Sequence, residues 1–171
     1  MMMTKEEAEE KKYGNEKIFE EESRMRKRDE KIQSYMFKGI LKESKHICYC
    51  EYDDNFIVVT WNGFQLYILQ KNSLCFSLDK CCKLNTLADV LTMTEKDKKL
   101  ILTNTLKVMD KEYYRKLKAD DFIIWVNDKY LKDFENMSYY AGNPLGRILV
   151  TEPFTDKITG CVMPVRIKDE E

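Results

Sequence analysis

His46, Cys48 and Cys50 stand at positions i, i+2 and i+4, a spacing that on a strand turns all three side chains to one face. With the vicinal pair Cys81-Cys82 they would supply enough nitrogen and sulfur ligands for a tetrahedral zinc. The pattern departs from zinc knuckles, which hold their ligands in a tight turn, and the chain contains no CxxC. The expectation for the six cysteines is therefore reduced thiols packed as small apolar residues, with no cofactor. His46 is the single histidine, so any Ser-His-Asp or Cys-His site must use it. On a strand, side chains two apart run parallel and do not converge, which argues against a nucleophile and base at Cys48 and His46. A small metal-dependent enzyme around His46, Cys48 and Cys50 is the last of three readings.

Other chemistry is thinner. The doublets Asp53-Asp54 and Asp120-Asp121 sit where a hairpin turn and a helix cap want carboxylates. Neither has the separation on a rigid frame that nucleases and glycosidases need. There is no GxGxxG and no Walker sequence, and the six glycines leave little for a phosphate loop. In the segment SRMRKRDEK, Arg24, Lys27, Arg28 and Lys31 fall on one arc of a helix and could follow a phosphate backbone. Glu20 shares that arc, and Asp29-Glu30 interrupt the run. Lys and Arg number 29 against 30 Asp and Glu, a net charge of −1, so the simplest argument for a nucleic-acid partner is missing and any electrostatic role must be local.

These residues need a frame, and the clearest part of it is residues 47–78. Short apolar runs separated by turn residues predict a four-stranded antiparallel meander. Asn62-Gly63 predicts a two-residue type I′ turn with Trp61 opposite Phe64. Val59/Leu66 and Ile57/Ile68 then share one face, and Thr60/Gln65 and Val58/Tyr67 the other.

Residues 1–14 are expected to fray, and a helix is expected from an N-cap at Asn15 to about Lys42. Its apolar stripe through Ile18, Met25, Ile32, Met36 and Ile40 is thin in the first half. Residues 1–34 therefore read as a charged helical extension ahead of a single domain at 35–171, with Ile18 and Met25 available to a partner or to a second copy. A short helix near 87–92 and a longer one from about 95 to 118 are suggested by capping boxes at Thr86-x-x-Asp89 and Thr94-x-x-Asp97. Residues 122–137 read as a third helix with Ile123, Val126, Tyr130, Phe134 and Met137 inward, which puts Trp125 roughly 160° away, toward solvent and a partner. The remainder predicts two strands joined at PFTDK, the last of them at a sheet edge because Pro164 lacks an N–H.

The expected architecture is thus α+β: an antiparallel meander and a C-terminal hairpin packed against helices, with a long N-terminal helix. No membrane span and no export signal are found, so a cytoplasmic location is expected. The absence of a catalytic constellation points away from an enzyme and toward a protein-interaction or regulatory protein. The small size and the abundance of Lys, Asn, Tyr and Met suit a bacterial or phage accessory protein that inhibits a larger host machine. A nucleic-acid-binding protein using Arg24, Lys27, Arg28 and Lys31 is the second reading.

Overall fold

A computed structural model describes residues 5–42 and 46–167. Helix α1 spans Lys5–Leu41. Among the described residues it is followed by ten strands: β1 (Cys48–Glu51), β2 (Phe56–Thr60), β3 (Gln65–Gln70), β4 (Cys82–Lys83), β5 (Lys98–Met109), β6 (Glu112–Lys118), β7 (Ile123–Asn127), β8 (Ser138–Ala141), β9 (Ile148–Thr151) and β10 (Ile158–Val162). A one-turn helix α2 (Asp128–Leu131) follows β7. The strands form one mixed sheet in the order β4-β1-β2-β3-β10-β9-β8-β5-β6-β7, antiparallel throughout except that β4 runs parallel to β1. The expected α+β class with a long N-terminal helix is what the chain adopts.

Helix α1 starts well before Asn15, running through Gly14, while residues 1–4 lie outside the described ones. Arg28, Ile32, Gln33 and Met36 are buried on its inner side. Ile32 and Met36 pack on one face of the sheet with Ile57, Val59, Tyr67, Leu69, Leu117 and Ile124. The opposite face buries Cys50, Val58, Leu66, Ile68, Leu149 and Cys161 beneath Leu84, Leu87 and Leu91. Tyr67 is stacked between Trp61 and Phe134, with ring centroids 5.0 and 5.3 Å away, and the Arg28 guanidinium caps the stack 5.9 Å from the Phe134 ring. Gly160 makes room for this stack: a Cβ there would lie 2.4 Å from the Leu66 carbonyl oxygen and 2.8 Å from the Phe134 ring.

The structure corrects several expectations. In β2–β3 the register is Ile57↔Leu69 and Val59↔Tyr67, one residue from the expected pairing. Only Gly63 has positive φ, 72°, so the loop is not type I′. Asn62 instead acts through its side chain, whose oxygen accepts from the Phe64 and Gln65 amides at 2.9 and 3.1 Å. Alternation could not fix this register because both faces of β2 and β3 are apolar and buried. The meander has three strands, since residues 71–73 make a 3₁₀ turn and Leu74, Phe76 and Leu78 reach the core from a loop.

The long helix expected over 95–118 is instead the β5–β6 hairpin, and the short one near 87–92 is a 3₁₀ turn at Ala88–Leu91. Thr94 and Asp97 make one half of the capping-box contact, with the Thr94 amide and hydroxyl both donating to Asp97 at 2.7 and 2.9 Å, but the Asp97 amide donates to the Thr94 carbonyl at 3.0 Å and the motif closes a loop. Residues 122–137 divide between β7, α2 and a 3₁₀ turn at Lys132–Phe134, so the third helix does not exist. Asn127 ends the strand and caps α2, accepting from the Lys129 amide at 3.1 Å. The β9–β10 hairpin is present, but β10 lies between β3 and β9 rather than at an edge, and Pro164 falls beyond its end.

Candidate functional site

Two surfaces stand out, a cleft beside α1 and the β5–β6 hairpin. The cleft opens where β3 and β10 cease to pair. Their register runs only from Gln65↔Val162 to Tyr67↔Gly160, and the Ile68 carbonyl beyond it accepts from Arg28 Nη2 at 3.5 Å. A volume of about 940 Å³ lies between α1, the 73–76 loop and the β9–β10 turn. The apolar part of its wall is made by Ile18, Met25, Phe37, Phe56, Phe76 and Phe154. The polar groups deepest in it, Arg28 and Gln33, are engaged with their neighbours, while Glu22, Arg26 and Glu30 line its α1 side. Arg28 donates through Nε and Nη2 to Asp29 Oδ1 at 3.0 and 2.7 Å, and Gln33 accepts from the Cys75 amide at 3.1 Å. Burial pushes the Asp29 carboxyl above its usual range against the pull of Arg28. Arg28 Nη1 is buried without a hydrogen-bond partner, and the same guanidinium lies over the Phe134 ring. This is a shaped, largely apolar groove whose one buried cation is committed to a carboxylate, which suits binding better than proton transfer.

The hairpin is built differently. β5 pairs with β8 only over Lys98–Leu100 and then runs on, paired with β6 alone. Its turn is Asp110-Lys111, with φ of 49° and 66°, a two-residue type I′ geometry made without glycine. Leu102 lies opposite Leu117, Leu106 opposite Arg115 and Val108 opposite Tyr113, so these residues share the face that carries the core. Leu117 is fully buried there, yet Leu102, Leu106, Val108 and Tyr113 are 46, 44, 61 and 56% exposed. The core face therefore continues past the covering helices into solvent. Arg115 within it is neutralised by Asp128. Between Leu102 and Leu106 the register shifts, and Thr103 bonds across to the Lys116 carbonyl at 2.7 Å, a bulge that twists the free edge. From Lys98 to Lys118 the sequence has seven Lys and Arg against two acids, Asp110 and Glu112, in a chain of net charge −1.

The structure separates the residues that sequence spacing grouped. Ile18 and Met25 both line the cleft, with Ile18 still 54% exposed. Of the basic arc, Arg28 turns inward to Asp29 and Lys31 bonds Asp133 at 2.6 Å, which leaves Arg24 and Lys27 on the outer side. Trp125 stands on strand β7 and not on a helix; it is half-buried, its carbonyl accepts from the Val165 amide at 2.8 Å, and its indole nitrogen is buried without a partner. Lys116 Nζ lies 6.0 Å from its ring. His46 is exposed, Cys48 half-buried and Cys50 buried. Cys48 lies beside Cys82 across the parallel β1–β4 pair, and burial followed by that second thiol pushes its pKa up. Cys50 and Cys81 are raised by burial as well, so these thiols are protonated and poor nucleophiles near neutral pH. Among the described residues no group of three His, Cys, Asp or Glu side chains could hold a metal ion. No described helix is long and apolar enough to cross a membrane.

Sequence reasoning missed the hairpin because it read 95–118 as helix. Part of the signal was nonetheless there: Leu106 and Val108 alternate with Thr105 and Lys107, and the strand formers Ile101, Thr103, Tyr113 and Tyr114 lie around them. Comparison with protein-family models, with curated proteins and with solved structures finds no match for this chain, so its function has to be argued from these two surfaces.

Proposed function

We propose that the chain is a non-enzymatic interaction protein with a regulatory role, and that its contact surface is the β5–β6 hairpin. One observation carries the reading: a row of four large apolar side chains, Leu102, Leu106, Val108 and Tyr113, continues the core face into solvent beside an open strand edge. Contiguous apolar surface on a projecting hairpin costs solvation free energy at roughly 25 cal/mol per Å² and invites strand pairing, which is why such rows mark interaction sites. The protonated thiols and the committed Arg28–Asp29 pair favour binding over chemistry. A photo-cross-linking residue at Val108 should give a discrete adduct in native extract, while one at Asn72, on an exposed loop, should not. Absence of an adduct at Val108, with the protein folded, would remove this reading.

A second reading takes the other face of the same hairpin. Tyr114, Lys116 and Lys118 alternate there, and Lys116 lies over Trp125, a pairing of cations and rings that suits single-stranded nucleic acid. Binding with a steep inverse dependence on salt, abolished by Lys116→Glu with Lys118→Glu, would favour it.

A further inference from the structure

Four of the six cysteines, Cys48, Cys50, Cys81 and Cys82, lie on or beside the strand pair β1–β4, at the edge of the sheet away from the β5–β6 hairpin. β4 has only two residues. It is held to β1 by the Cys82 amide, which donates to the Ile47 carbonyl at 2.8 Å, and by the Leu84 amide, which donates to the Tyr49 carbonyl at 2.7 Å. In this parallel pair Cys48 stands directly opposite Cys82. Residues so paired lie about 4.8 Å apart, the spacing of neighbouring strands. A disulfide can join two Cα atoms at roughly 4.4–6.8 Å.

Face and exposure single out the pair. Cys50 and Leu84 stand two residues beyond Cys48 and Cys82, and both pack into the core cluster on one side of the sheet, so Cys48 and Cys82 turn to that side as well. Cys81 packs on the opposite side, which leaves Cys82 as the partner. Burial, and then the charge and hydrogen bonding of the Cys82 thiol, raise the pKa of Cys48, as a neighbouring thiol does. Cys82 is exposed, Cys48 half-buried and Cys50 buried, so a reagent from solvent meets Cys82 first. We propose that Cys48 and Cys82 form a redox modification site, closed to an intramolecular disulfide by a small disulfide oxidant of the glutathione class.

The Cys82 sulfur attacks one sulfur of the oxidant, its proton passes to solvent, and the first glutathione leaves with the electron pair of the broken S–S bond. The Cys48 sulfur then attacks Cys82 in the mixed disulfide, gives up its own proton, and displaces the second glutathione. Two protein thiols become one disulfide, one oxidised glutathione becomes two thiols, and the two protons released end on them. The raised pKa of Cys48 slows its attack, but the step is intramolecular between groups already side by side, and proximity offsets the loss. The product clasps β4 over the edge of β1, which can then no longer open for strand pairing. The segment between the two cysteines carries Leu74, Phe76 and Leu78 onto the core, and Phe76 is also a wall of the cleft, so closure restrains that wall.

The full chain, reduced and then incubated with oxidised glutathione at mildly alkaline pH, tests this. Peptide mapping should find Cys48 joined to Cys82, and dithiothreitol should reverse the link. Oxidation should raise the thermal midpoint by about 5–10 °C, because the link constrains the unfolded chain. It should also slow amide exchange at Cys82 and Leu84. Cys82→Ser, at an exposed position, should stay folded by circular dichroism and show none of these changes, while Cys48→Ser should keep glutathione on Cys82 as a stable mixed disulfide. A wild type that retains all six thiols, a mixed disulfide that persists on its Cys82, or a link from Cys82 to Cys81 or Cys75 would overturn the inference. So would a mapped link between Cys48 and Cys82 that moves neither the midpoint nor the exchange rates.

Discussion

The hairpins β2–β3 and β5–β6 differ in turn chemistry and in burial, and the two properties run opposite ways. β2–β3 has the strongest turn dipeptide in the chain, Asn62-Gly63, yet uses positive φ only at Gly63 and closes a wider loop with side-chain acceptors. β5–β6 turns through Asp110-Lys111 with both residues at positive φ and no glycine to ease it. The first pair is buried on both faces, the second exposed on the one that continues the core. Strand pairing in the buried half is set by what covers it, and the turn adapts. In the projecting half Leu102, Leu106, Val108 and Tyr113 are left exposed, and a tight turn holds the strands together at some local cost. That division puts stability in one half and an accessible surface in the other.

The largest expected effect is on the cover of the buried half. Arg147 ties down the segment that carries Leu91 over the sheet, donating to the carbonyls of Val90, at 2.6 Å, and Thr92, and pairing with Asp97 at 3.0 Å. The Asp97 side chain is shielded from solvent, so Arg147→Ala would leave its carboxylate with only the Thr94 donors and free two backbone carbonyls, and the loss of these charge-assisted bonds should cost about 3–5 kcal/mol in denaturant unfolding. Val108→Ala, in the exposed hairpin, should stay within about 0.5 kcal/mol of wild type. Equal effects would show that the two halves are equally packed. Gly160→Ala falls between them, at about 3 kcal/mol, because the added carbon overlaps both the neighbouring strand and the Phe134 ring.

Acid separates two arginine–aspartate pairs by sign. Burial raises Asp97, but hydrogen bonds from Arg147 and Thr94 outweigh it, and its carboxyl ends below the ordinary 3.8. A folded pKa below the unfolded one means that its stabilisation is present above about pH 4 and is lost as the pH falls through the folded value. Asp29 has the opposite sign. Burial outweighs its single partner Arg28, so its contribution is present below the ordinary value and disappears as the pH rises through its folded pKa. Unfolding midpoints measured from pH 7 to pH 3 should therefore fall less steeply in Asp97→Asn than in wild type. In Asp29→Asn they should fall more steeply, because the group that gains on protonation is gone. The same slope in all three proteins would mean that neither carboxyl is coupled to folding.

What was legible in the sequence follows the same division. The α+β class, the strands at 48–51, 56–60 and 65–70, and the β9–β10 hairpin were readable because their apolar runs are short and bounded by turn residues. The register of β2–β3 was not, since alternation carries no information where Val58 and Val59 are both fully buried. Residues 95–118 misled because Leu102, Leu106, Met109, Tyr113 and Leu117 also fit a helical stripe, and Thr94-x-x-Asp97 is a cap in chemistry but serves Arg147. Trp125 was placed by a helix that does not form. The burial of Arg28 was illegible for a different reason: a charged residue gives no inward signal, and only the aromatic stack of Trp61, Tyr67 and Phe134, assembled from distant strands and loops, gives it a place.

The turns themselves give modest effects and the sharpest test of the comparison. At Gly63, φ of 72° is open to glycine and strained for a β-branched residue, and a Cβ there meets nothing within 4 Å, so Gly63→Val reports backbone conformation without a clash. The expected loss is about 1–2 kcal/mol. Lys111 is the converse case, an ordinary side chain held at φ of 66°. Lys111→Gly relieves that strain, partly offset by the greater entropy of glycine in the unfolded chain, and should raise stability by about 0.5–1 kcal/mol. The gain should be local, slowing amide exchange across Val108 and Tyr113 more than in β2 and β3, because a hairpin with these side chains left exposed opens on its own. If Lys111→Gly instead destabilises the protein, or protects β2 and β3 equally, then the β5–β6 hairpin is part of the same cooperative unit as the buried strands and the division drawn between them fails.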